Sequence, residues 1–100
     1  MSKGEEQLRD LDLVFAALAH PSRRQILLAL RFRKGAMTAG DIADRFSCKW
    51  PTTTRHLNAL VNAGLITVKK TGRERLYCLK EERLTGVAGR WLDWFRKDTL

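Results

Sequence analysis

The side chains best suited to chemistry in this sequence gather between Lys49 and Asn62, and they suit reading an anionic partner better than making or breaking bonds. On a helical wheel at about 100° per residue, Thr53, Leu57, Leu60, Val61 and Gly64 fall on one face. Thr52, Arg55, Ala59 and Asn62 fall opposite, flanked by His56 and Asn58. Such a face fits a major groove. Thr and Ala permit close approach, Arg can pair bidentately with guanine, and Thr can meet a phosphate or a thymine methyl. Pro51 opens this helix, whose first-turn N–H groups are free for a phosphate, and Lys49 places a cation just before it. Alone, the same pattern also describes a solvated amphipathic helix.

A second basic group follows. Lys69, Lys70, Arg73 and Arg75 fall in and beside one loop, where they could grip a nucleic-acid backbone and supply affinity more than sequence information. Arg23 and Arg24 lie in the first turn of an earlier helix. They could touch phosphate or pair with Asp41 or Asp44. Trp50 could stack on a sugar or close the turn before the reading helix.

Other chemistries find little support. No Ser/His/Asp or Cys/His set, phosphate loop or paired-carboxylate motif is apparent, so no enzyme and no small-molecule substrate is expected. Cys48 and Cys78, with His20 and His56, do not give the roughly four suitably spaced ligands that zinc takes, so no metal or other cofactor is expected. Two cysteines make no disulfide framework, which suits a reducing cytoplasm. The longest apolar run, Leu13 to Ala19, is too short for a bilayer, and no signal-peptide pattern is visible, so no membrane partner is expected.

Charge agrees with the placement of the reading residues. The chain of 100 residues carries a formal net charge of +8. Residues 1–20 sum to −2, residues 81–100 to zero, and residues 21–80 to +10. The middle is thus the electrostatic footprint of an anionic partner.

The elements needed to position these groups are legible. A helix is expected from about Glu5 to Ala19, with Leu8, Leu11, Val14, Phe15 and Leu18 at helical spacing. A second opens at Pro21 and carries Ile26, Leu27 and Leu30. A third is capped by Thr38 and buries Ile42, Ala43 and Phe46. Ser47–Trp50 is the turn into the fourth, which ends at Gly64. Leu65–Lys70 and Arg75–Lys80 read as a hairpin through Thr71-Gly72-Arg73-Glu74. A last helix spans about 82–96, with Leu84, Val87, Ala88, Trp91, Leu92 and Phe95 on one side. The expected fold is mainly α with a small β-hairpin: a winged helix-turn-helix of five helices and a two-stranded wing, in a single domain covering 1–100.

At this point the residues resemble a known family. Ala17-Leu18-Ala19-His20-Pro21-Ser22-Arg23-Arg24-Gln25-Ile26-Leu27 resembles the opening of the ArsR-type winged helix-turn-helix repressors. Thr38–Phe46 resembles the first helix of their helix-turn-helix. Pro51–Leu60, with Ala63-Gly64-Leu65-Ile66, resembles their recognition helix and its exit, and Gly72-Arg73 followed by Tyr77 resembles their wing. The likeness implies a homodimer built from terminal helices 5–19 and 82–96, bound to double-stranded DNA at an inverted-repeat operator and acting as a cytoplasmic repressor. It departs from metal-sensing members, since the third helix has no cysteine and the last no histidine, and lies nearer the autorepressor type.

The sequence supports the dimer independently. Leu8, Leu11, Phe15 and Leu18 at one end, and Leu84, Trp91, Trp94 and Phe95 at the other, offer more apolar surface than a small core needs, and aromatics are frequent interface anchors. The residues expected to touch DNA are Lys49, Trp50, Thr52, Thr54, Arg55, His56, Arg73, Arg75 and Arg23. Two alternatives stand beside this reading: a winged helix used for protein–protein contact, and a thiol-responsive repressor sensing through Cys48, whose thiolate would be favoured by Lys49 and Arg45.

Overall fold

The computed structural model describes residues 2–46 and 50–96. Helix α1 (Lys3–Leu18) begins where the Ser2 hydroxyl accepts from the Glu5 N–H at 3.2 Å, and Glu5 and Glu6 place negative charge in its first turn. It stops because Pro21 disfavours helical backbone at the residue before it; His20 is extended, with φ −92° and ψ 125°. Helix α2 (Pro21–Phe32) then starts with Pro in the position where a missing N–H costs nothing.

Strand β1 (Ala36–Thr38) leads into α3 (Ala39–Phe46), whose Asp41 N–H is capped by Thr38 Oγ1 at 3.1 Å, as the sequence suggests. Helix α4 (Trp50–Asn62) ends in a Schellman turn: Leu65 N–H reaches the Leu60 carbonyl at 3.0 Å and Gly64 N–H the Val61 carbonyl at 2.9 Å. That turn needs a left-handed residue, and Gly64 has φ 76°.

Strands β2 (Ile66–Thr71) and β3 (Glu74–Leu79) form the hairpin, in register from Ile66 opposite Leu79 to Thr71 opposite Glu74. Its link is Gly72-Arg73, with positive φ (62°) at Gly72 alone, as a type II′ turn requires. The two-stranded wing is corrected to a three-stranded antiparallel sheet of order β1-β3-β2, with Met37 opposite Tyr77. Three residues are too few to show the alternation by which a strand is recognised. Ala36–Thr38 is extended because β3 offers it an edge, and Gly35 O accepts from Leu79 N–H at 2.7 Å beside the ladder.

The last helical run covers 81–96 as α5 (Glu81–Leu84), a π-helical stretch (Thr85–Gly89) and α6 (Arg90–Arg96). The Thr85 hydroxyl donates to the Glu81 carbonyl at 3.0 Å, competing with the regular ladder where the π stretch begins. This stretch packs against α1.

One core ties the elements together. Val14, Leu30, Ile42, Leu57, Leu60, Leu65 and Ile66 are fully buried, with Met37, Tyr77 and Ala88 beside them. It draws on every helix through α4, on all three strands and on the π stretch. The reading helix is therefore held rigidly from below.

Candidate nucleic-acid interface

Helix α4 is anchored by Thr53, Leu57 and Leu60, which are at most 2% exposed. The opposite face is open: Thr52, Thr54, Arg55, Asn58 and Asn62 are exposed, and Ala59 is half-buried. The inward and outward faces divide as the helical wheel predicts. Lys49 and Cys48 lie outside the described residues, as does the side chain of Trp50.

The wing arginines share a concavity with this helix. Thr54 of α4, Arg73 and Arg75 of the wing, and Thr38, Ala39 and Gly40 at the start of α3 line one open cleft of about 390 Å³. Lys69, Lys70, Arg73 and Arg75 are all exposed. Lys70 lies directly opposite Arg75 in the β2–β3 register. Like charges facing each other across a strand pair are destabilising, and an anion seated between them would relieve that repulsion.

Arg23 and Arg24 take neither of the carboxylate partners that the sequence left open. Arg23 Nε donates to His56 Nδ1 at 3.2 Å, and Arg23 Nη1 to the Ala16 carbonyl at 3.4 Å. Arg24 Nη1 donates to the Leu18 carbonyl at 2.6 Å. Both arginines thus satisfy carbonyls at the C-terminal end of α1, where cations are favoured. His56 is half-buried, with the His20 ring 5.5 Å away between centroids. Burial, then the charges of Arg23, His20 and Arg55, push its pKa below the usual value.

One structural residue escaped the sequence reading. Arg83 forms a two-pronged pair with Asp10 of α1, at 3.1 and 3.3 Å, and donates from Nε to the Ala63 carbonyl at 3.2 Å. It links both terminal helices to the exit of α4. No local pattern marks a contact between residues 73 positions apart.

The terminal helices present an apolar face. Leu8 (64% exposed), Trp94 (73%) and Phe95 (72%) are well exposed, Phe15 and Trp91 less so. Phe15 meets Trp91 edge-to-face at 5.3 Å, and Trp91 meets Phe95 at 4.9 Å. Leu11 is half-buried, and Leu18 and Leu84 pack partly against the core. Leu13 and Leu92 are also exposed.

Among the described residues, no group of three His, Cys, Asp or Glu side chains could hold a metal ion. Cys78 is half-buried on β3. No described helix is long and apolar enough to cross a membrane.

The capped pair α3–α4, with its polar outward face and a basic wing in the same cleft, defines a winged helix-turn-helix of the transcription-regulator class. Comparison with known proteins agrees. A helix-turn-helix domain family matches residues 18–69. The transcriptional repressor SdpR of Bacillus subtilis is 37% identical over 84 residues, covering 84% of this chain and 91% of that protein. An arsenical resistance operon repressor of Staphylococcus xylosus is 33% identical over 76 residues, covering 76% and 71%. The crystal structure of an ArsR family transcriptional regulator superposes with a TM-score of 0.75 at 31% identity, covering 96% of this chain and 93% of the other. The chain belongs to the ArsR family of helix-turn-helix transcriptional repressors.

Proposed function

We propose that this protein is a cytoplasmic homodimer that represses transcription by seating two α4 helices in successive major grooves of an inverted-repeat operator. The observation that carries the reading is the outward exposure of Thr52 and Arg55 on a helix whose other face is locked into the core. Base contacts are assigned to Thr52, Arg55 and His56. Backbone contacts are assigned to Lys49, Trp50, Thr54, Arg73 and Arg75, with Arg23 at the rim. The apolar face of α1 and α6 supports pairing with a second copy, since patches of exposed aromatics mark association surfaces. The dimer interface is assigned to Leu8, Leu11, Phe15, Leu18, Leu84, Trp91, Trp94 and Phe95, on helices 5–19 and 82–96 of a single-domain chain. Bound across a promoter, such a dimer blocks polymerase. No cofactor is required by this scheme.

Selection from a randomised duplex pool tests it. Enrichment of two half-sites in inverted orientation, centred about one helical turn apart, is the expected result. A pool without enrichment, or with single unpaired sites, would overturn it.

A further inference from the structure

The contact between Arg23 and His56 has a chemical consequence for base reading, and this inference rests on the proposed seating of α4 in a groove. An arginine guanidinium has donors only. The ring nitrogen it meets, His56 Nδ1, must therefore be unprotonated, and the neutral imidazole must carry its proton on Nε2. Among the described residues Nε2 has no hydrogen-bond partner, and none of their buried side-chain nitrogen or oxygen atoms is left without one. Nε2 is accordingly open to solvent. The ring lies beside exposed Arg55 on the flank of the reading face.

We propose that Arg23 is a positioning residue that fixes His56 as a one-way donor, Nε2–H outward, and that His56 thereby reads an acceptor edge within the half-site. In the major groove guanine offers two acceptors, N7 and O6, whereas cytosine presents an amino donor. Guanine is then the best match and cytosine the worst. An unconstrained imidazole would not discriminate, because its other tautomer presents Nε2 as an acceptor and can take the cytosine amino proton. Burial of the ring and the neighbouring charges of Arg23, His20 and Arg55 work in the same direction, by keeping it neutral. The second arginine contact, to the Ala16 carbonyl, ties the guanidinium to the end of α1 and limits its freedom to swing away.

Two readouts test this. In the free protein, the imidazole ¹⁵N shifts of His56 near neutral pH should show the Nε2–H tautomer in wild type and a mixture in Arg23→Met. On DNA, wild type should prefer guanine over cytosine at one position per half-site by about three- to tenfold, the worth of one net hydrogen bond. Arg23→Met and His56→Ala should lose that preference while keeping the preferences set by Arg55. Arg23→Lys, which retains a donor, should keep part of it. A protonated Nδ1 in wild type would overturn the proposal. So would an Arg23→Met protein that binds the selected operator with base preferences unchanged at every position. Should wild type bind no duplex at all, the proposed function fails first and this inference with it; loss of base preference only in the variants separates the two.

Discussion

Arg83 holds the Asp10 carboxylate with both terminal nitrogens while its Nε caps the Ala63 carbonyl, so one side chain fastens α1, α5 and the end of α4. A Cβ on Gly64 would come within 2.9 Å of Arg83 Nε, so the left-handed turn leaves the guanidinium its room. The pair is about one-third exposed, which limits its worth to roughly 1 kcal/mol, with the carbonyl bond adding about as much. Arg83→Met should therefore cost about 1–2 kcal/mol, read as a lower denaturation midpoint at unchanged slope.

Much of this architecture can be read from residue order alone, and the limits are instructive. Pro21, Thr38, Gly64 and Gly72 act locally, through fixed φ, a side-chain cap or a left-handed turn, and their effects are visible in the sequence. The alternation of Thr53, Leu57 and Leu60 against Thr52 and Arg55 likewise fixes which face of α4 is open. Strand β1 and the Arg83 and Arg23 contacts are different in kind. Each depends on a partner far along the chain, and Arg23 meets His56 from 33 residues away. The π stretch hinges on one hydroxyl, that of Thr85.

The exposed aromatic face of the terminal helices should hold two copies together. Trp94 is 73% exposed, so Trp94→Glu should leave folding within about 0.5 kcal/mol of wild type. Sedimentation should show wild type as a dimer and the variant as a species near the 11.5 kDa chain mass. A wild-type monomer at micromolar concentration would remove the basis for paired recognition helices.

His56 makes stability depend on pH with a definite sign. Its pKa in the fold lies below the usual 6.5, first through burial and then through Arg23, His20 and Arg55. Below pH 6.5 the unfolded chain binds the proton before the folded one does, so stability is lost as the pH is lowered. The contribution is intact above about 6.5 and declines from there until the lower folded value is passed. Thermal melts from pH 7.5 to 5 should show a smaller decrease in Tm for His56→Gln than for wild type.

The wing should act through charge. Arg73 is exposed at the hairpin tip, beside Lys70 and Arg75. Arg73→Ala should weaken binding to all duplex sequences alike and lower the slope of log K against log salt by about one unit. Titrations at a series of salt concentrations read both effects.

The central claim is that the Thr52–Arg55 face of α4 reads base pairs. Fluorescence anisotropy of wild type and Arg55→Ala on a selected operator and on a scrambled duplex of equal length tests it most directly. The account predicts a loss of about 1–3 kcal/mol on the operator, with little change on the scrambled duplex, so that specificity collapses toward the non-specific level. Equal affinities of the two proteins for the operator, or a wild type that does not distinguish the two duplexes, would contradict it.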